Sequence, residues 1–165
     1  MTRAALLLAA AALALSGCSL RPLYGGGEAG PVQTTFASVQ VAPIEGQAGW
    51  LVANALKDRL EMGGGQAARY RLEVKLDDRI SGLGVRSDDS VARERRTLRA
   101  RFQLVDLQSG AVVLDATAGS DAGVDVVGSE YATIAAERSA LERLSGIVAD
   151  QIVARVARFA QTTAK

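Results

Sequence analysis

Between residues 69 and 77 every second side chain is apolar: Tyr70, Leu72, Val74 and Leu76 alternate with Arg69, Arg71, Glu73, Lys75 and Asp77. That period of two predicts a strand with one buried and one wet face. The alternation returns from Val91 to Asp106, with Leu98, Ala100, Phe102 and Leu104 inward and Thr97, Arg99, Arg101 and Gln103 outward. Gln108-Ser109-Gly110 then turns the chain into a third run, Val112, Leu114, Ala116 and Ala118, completing an antiparallel meander. The stretches Ile80 to Ser90 and Gly119 to Gly128, rich in glycine, serine and aspartate, read as loops, the first between the first two strands and the second after the third. Upstream, Phe36 to Ala42 reads as a short strand ended by Pro43.

Two segments change to the helical period. From about Gln47 to Met62, Leu51, Val52, Ala55, Leu56 and Leu60 form an apolar stripe opposite Lys57, Asp58, Arg59 and Glu61, and Gly63-Gly64-Gly65 stops it. After Ser129, a plausible cap, Tyr131, Ile134, Leu141, Val148, Ile152, Val156 and Phe159 recur at helical spacing. Such a helix of about 30 residues reaches about 45 Å, with Ser145-Gly146 as the place for a bend. The order β-α-β-β-β-α predicts an α+β fold, a two-layer sandwich. Its sheet has four mostly antiparallel strands, with two helices packed on one face, and residues 36–162 make a single domain.

The N-terminal end has a different character. Arg3, an uninterrupted apolar stretch from Ala4 to Leu15, and the small residues Ser16 and Gly17 make residues 1–17 a signal peptide. The run is too short for a transmembrane helix, which needs about 20 residues. Leu15-Ser16-Gly17-Cys18 resembles the bacterial lipobox, which implies that Cys18 becomes the acylated first residue of the mature chain. An ordinary cut after Ala12-Leu13-Ala14 would instead leave a lone thiol with no partner, since the sequence has 1 cysteine. Ser19 stands where aspartate marks inner-membrane retention, which points to the outer membrane, on its periplasmic side. Residues 18–35 carry Gly25, Gly26, Gly27 and Gly30 with Pro22 and Pro31 and read as a lipidated tether.

Charge and composition narrow the chemistry. The 19 basic side chains include Arg3 of the signal; the 18 acidic ones all lie beyond it, so the mature chain is formally neutral. That balance predicts no nucleic-acid partner. With 0 histidines, no Gly-x-Ser-x-Gly and no phosphate loop, the sequence offers neither an activated nucleophile nor a metal set, so it reads as a non-enzyme without cofactor or metal. Asp121, Asp125 and Glu130 do not have calcium-loop spacing and read as solvated loop carboxylates. One pattern remains. Arg93, Arg95, Arg99 and Arg101 share the outward parity of one strand, joined by Arg96 at its loop end, with Arg69 and Arg71 beside them. Arginine forks suit phosphate, carboxylate or a polar interface. The plainer reading pairs them across strands with Glu73 and Asp77, at roughly 0.2 to 1 kcal/mol a pair.

Cys18-Ser19-Leu20-Arg21-Pro22-Leu23-Tyr24 resembles the mature N-terminus of one branch of the lipopolysaccharide-assembly lipoprotein family LptE. Residues 129–159 are similar to that family's C-terminal helix. The resemblance implies a non-enzymatic outer-membrane subunit that sits inside the large β-barrel LptD, supports assembly of that barrel and helps deliver lipopolysaccharide to the cell surface. It gives Arg21 and Tyr24 the expected role of holding the tether near the barrel wall at the headgroup level. The arginine row is read from strand parity alone. Two other readings fit the sequence: an auxiliary lipoprotein of a lipid-transport ABC system, distinguished by Arg-Pro-Leu-Tyr, and a lipid-anchored periplasmic hydrolase, opposed by the missing nucleophile.

Overall fold

A computed structural model of the chain describes residues 30–60, 67–85, 91–126 and 129–163. In chain order its elements are α1 (Pro31–Ala37), β1 (Val39–Val41), α2 (Gly46–Leu60), β2 (Tyr70–Val85), β3 (Val91–Asp106), β4 (Val112–Asp125) and α3 (Glu130–Thr163). The sheet runs β1-β2-β3-β4, with β1 parallel to β2 and the other pairs antiparallel. The α+β sandwich with a mostly antiparallel four-stranded sheet is therefore present, with one helix more than the sequence suggests.

That extra helix is α1. Pro31 sits in its first turn, where a missing N–H removes no helical bond, and Val32 and Phe36, four apart, turn one face into the core. The expected tether thus stops short of residue 35. The expected strand from Phe36 to Ala42 is only Val39–Val41, because Phe36 and Ala37 belong to the helix. Ser38 joins the two elements: its carbonyl accepts the N–H groups of Arg69 and Tyr70 at 2.9 and 3.0 Å, fixing where β2 begins.

Helix α2 opens at Gly46, whose φ of +79° suits glycine, and passes close beneath Ile44. A Cβ at Gly49 would lie 2.5 Å from the Ile44 carbonyl oxygen, so this crossing requires glycine. Val52, Leu56 and Leu60 are its fully buried stripe.

Strands β2 and β4 run further than their alternation suggests. β2 continues through Ile80 to Val85 and β4 through Gly119 to Asp125, both paired with β3 residue by residue, so these expected loops are largely strand. Residues 86–90 of the first loop and 127–128 of the second lie outside the described residues. At the other end of β3, the Asp106 carboxylate accepts the N–H groups of Gln108 and Ser109, and Gly110 at φ +69° completes the turn into β4.

Helix α3 is continuous for 34 residues, about 50 Å, and extends past Phe159 to Thr163; Gly146 does not interrupt it. Its buried residues run from Ala140 to Ala160, and none precedes Ala140. The inward side chains of the sheet, led by Leu72, Leu98, Phe102 and Leu104, join α1, α2 and α3 in one apolar cluster. The Gln151 side-chain amide accepts the Gly119 N–H at 2.9 Å and donates to the Gly119 carbonyl at 3.2 Å. A helix residue thereby occupies part of the free edge of β4, where another strand could otherwise pair.

Candidate functional site

With Leu98, Ala100, Phe102 and Leu104 buried, the odd-numbered residues of β3 project from the other side of the sheet. Arg93, Arg95, Arg99 and Arg101 all lie exposed on that outer face, as their parity predicts. Their partners come from the strand that the sequence assigned partly to a loop. Arg93 pairs with Asp125 at 3.0 Å, Arg99 with Asp121 at 3.3 Å and Arg101 with Asp115 at 2.9 Å. Asp121 and Asp125 are therefore strand residues on a charge ladder and not loop carboxylates. Asp77 and Glu73 turn to neighbours on their own strand, Arg79 and Arg71, at 2.9 and 2.7 Å.

Glycine in β4 makes room for this ladder. Gly119 stands opposite Arg99, and a Cβ there would come within 2.5 Å of Arg99 Cδ, so the arginine stem lies across the glycine on its way to Asp121. Arg95 stands opposite Gly123 and Ser81, which carry no charge. It makes no ion pair among the described residues, although it helps to hold the Asp121 carboxyl down. Lys75, opposite Arg101, is likewise without an ion pair there. The face is thus nearly compensated, with two cations left over.

Arg96 does not belong to this row. Its even number puts it on the helix-covered side with Leu98, where it forks onto Asp78 with bonds of 2.9 and 2.6 Å and donates to the Glu137 carbonyl at 3.0 Å. Arg69 sits at the opposite end, 3.5 Å from Asp106 and over the Tyr70 ring. Cys18, Arg21 and Tyr24 lie outside the described residues, so the structure unites four of the seven expected site residues.

The ladder is coupled to protonation. Hydrogen bonds from Arg101 and then Gln103 hold the Asp115 carboxyl below its ordinary value of 3.8. Thr97, followed by Arg99, does the same for Asp121. A depressed carboxyl contributes stability that is present above 3.8 and lost as the pH falls through its lowered value. Replacing both by asparagine should therefore flatten the acid limb of a plot of urea midpoint against pH. An acid limb as steep as that of the unmodified protein would remove the ladder from this role.

Among the described residues of this face, no side chain is arranged to activate a nucleophile. Its mixed charges, held rigidly on paired strands, can instead meet a polar surface or a water-filled space, with Arg95 and Lys75 available for anionic groups.

Comparison with known proteins agrees with the architecture. A candidate lipoprotein from Caulobacter crescentus CB15 superposes with a TM-score of 0.65 at 24% identity, covering 79% of this chain and 96% of that one. A minor lipoprotein of Acinetobacter baumannii gives 0.60 at 16% identity over 74% and 92%. The rare lipoprotein B of Shewanella oneidensis gives 0.58 at 13% over 78% and 98%. At these identities the likeness is one of fold. No curated protein matches. The family model for lipopolysaccharide assembly, LptE, matches residues 36–156, spanning β1 through most of α3. By that match the chain belongs to the LptE lipopolysaccharide-assembly family.

Proposed function

We propose that this protein is a lipid-anchored outer-membrane subunit of the lipopolysaccharide export machinery. It plugs an LptD-type β-barrel, supports the assembly of that barrel and assists delivery of lipopolysaccharide to the cell surface. Family membership supplies the process, and the observation that carries the plug reading is the outer face of the sheet. A surface of compensated ion pairs is poorly suited to an apolar contact and well suited to the polar interior of a large barrel. Cys18 bears the lipid, and Arg21 and Tyr24 hold the tether beside the barrel wall at headgroup level.

The test is co-purification of the C-terminally tagged full chain from its own membranes in mild detergent. A stoichiometric partner of large β-barrel size is expected. The double change Lys75→Gln with Arg95→Gln neutralises the two cations that make no ion pair among the described residues, and it keeps every paired residue of the ladder in place. It should reduce recovery of the partner by about tenfold, equivalent to about 1.4 kcal/mol. Recovery of a transporter component in place of a barrel would overturn the plug reading in favour of an auxiliary role in an ABC system. Undiminished recovery of the barrel with the double variant would move the contact to another face.

A further inference from the structure

The two edges of the sheet are left in different states. At β4, the Gly119 N–H and carbonyl point away from β3, and both are taken by the Gln151 amide. At the other edge, β1 pairs with β2 only from Tyr70 to Leu72. The bond of 3.0 Å from the Ala42 N–H to the Leu72 carbonyl is followed by Pro43, which has no N–H to continue the pairing. β2 runs on to Val85, so beyond Leu72 it is itself an edge strand.

The Leu72 carbonyl fixes which groups of β2 are open. In an antiparallel ladder the N–H and C=O of one residue face the same neighbouring strand, and successive residues alternate. Leu72 faces β1, so Val74, Leu76, Asp78, Ile80 and Gly82 also face away from β3, and their backbone groups have no partner among the described residues. At about 3.3 Å per residue this open run is about 30 Å long. On the outer face beside it, Glu73 pairs with Arg71 and Asp77 with Arg79, while Lys75 makes no ion pair among the described residues. Where β1 leaves, a cleft of about 500 Å³ is lined by Pro43, Ile44, Val74 and Leu76. Further along, the inward-pointing Ile80 is 43% exposed.

We propose that residues 74–82 of β2 form a strand-addition site, and that its occupant is an extended segment of the β-barrel partner. The occupant presupposes the barrel reading above; the mode of contact is additional to it. In strand addition, main-chain bonds supply affinity and alternate side chains supply specificity. The added strand turns apolar side chains toward the cleft and Ile80, and places a carboxylate opposite Lys75. The alternating charges Glu73, Lys75, Asp77 and Arg79 keep unmatched strands from the open edge. Pairing a second copy's β2 antiparallel about Leu76 would match these charges, Lys75 with Asp77 and Glu73 with Arg79. It would also put residues 80–82 of that copy where β1 pairs with residues 70–72, so a single extended segment fits the edge and the copy does not.

Residue-resolved hydrogen–deuterium exchange of the full chain, free and in the complex co-purified from its membranes, tests the site. In the free chain the amides of Leu76, Asp78, Ile80 and Gly82 should exchange faster than those of Lys75, Asp77, Arg79 and Ser81, which face β3. In the complex the first set should slow by about tenfold and the second should change little. A first set unchanged in a complex that contains the barrel overturns strand addition and leaves the barrel reading standing, whereas a complex without a barrel overturns both. Slow exchange of the first set in the free chain also overturns the proposed occupant, in favour of a second copy if it grows with concentration and of another segment of this chain if it does not. Ile80→Pro removes one edge-facing N–H and no bond to β3, a change that edge strands tolerate. It should lower recovery of the barrel by about tenfold, and Ile80→Thr, which keeps the N–H, should lower it less. Protection of Lys75, Asp77 and Ser81 reports that the proline variant is folded. Recovery that does not fall with Ile80→Pro, or that falls equally with Ile80→Thr, overturns the site.

Discussion

Replacing Phe102 by alanine is expected to lower the unfolding free energy by about 3 to 5 kcal/mol, the largest effect of any single side-chain truncation in this core. Phe102 is completely buried on the central part of β3, between Val74 on β2 and Ala116 on β4. Its neighbours on the same face include Ala100, two residues away, and Ala118, diagonally across. Alanines have no side chain to extend into a void. The cavity left by the ring therefore stays open, and the cavity term adds to the lost transfer free energy. Set against a domain stability of about 5 to 15 kcal/mol, this loss brings the chain near its limit. Urea unfolding at constant slope measures it. A change below about 1 kcal/mol would mean that α3 closes onto the sheet at this point and that the packing around Phe102 is not rigid.

Phe102 was legible from the sequence because a period of two survives any uncertainty about where a strand ends. The same applies to Leu72, Leu98 and Leu104, and to the helical stripe of α3 from Leu141 to Val156, all of which are buried. The distal parts of β2 and β4 were not legible. Residues 80–85 and 119–125 contain glycine, serine and aspartate, which local propensity assigns to turns. There the ladder to β3 holds the strands, and the arginines of β3 neutralise Asp121 and Asp125. Gly119, one of the glycines that weaken the strand signal, is what lets Arg99 lie across β4. Information about that partnership is divided between two strands, and neither reveals it alone.

A similar division concealed α1. Proline after a glycine-rich stretch suggests a linker, but Pro31 is tolerated in a first helical turn, and Val32 and Phe36 find their burial against α3, more than a hundred residues away in sequence. Arg96 was misplaced for the opposite reason. Adjacency to Arg95 grouped it with the outward row, whereas strand parity alone puts it with Leu98, and only the approach of Asp78 and Glu137 makes an inward arginine tolerable.

Cys18→Ala is expected to move the protein from the membrane fraction to the soluble fraction, an all-or-none effect by the arithmetic of lipid anchoring. Each buried methylene contributes about 0.8 kcal/mol, so two or three acyl chains hold firmly where one holds only marginally. Among the described residues no helix is long and apolar enough to cross a membrane, so none of those helices replaces the anchor by spanning it. Alkaline washing strips proteins held by polar contacts and leaves those held by lipid. The unmodified chain should withstand it and the variant should not. A variant that withstands it with residues 1–17 already removed would end the lipidation reading, and an unmodified chain that washes off would favour the ordinary cut after Ala12-Leu13-Ala14. The unwashed variant is informative as well. If it remains with membranes through the charged face of the sheet, about 1 M salt, with a screening length of about 3 Å, should release it. Lipid attachment would not respond to that change, so salt and alkali together separate the proposed anchor at Cys18 from the proposed contact through Arg95 and Lys75.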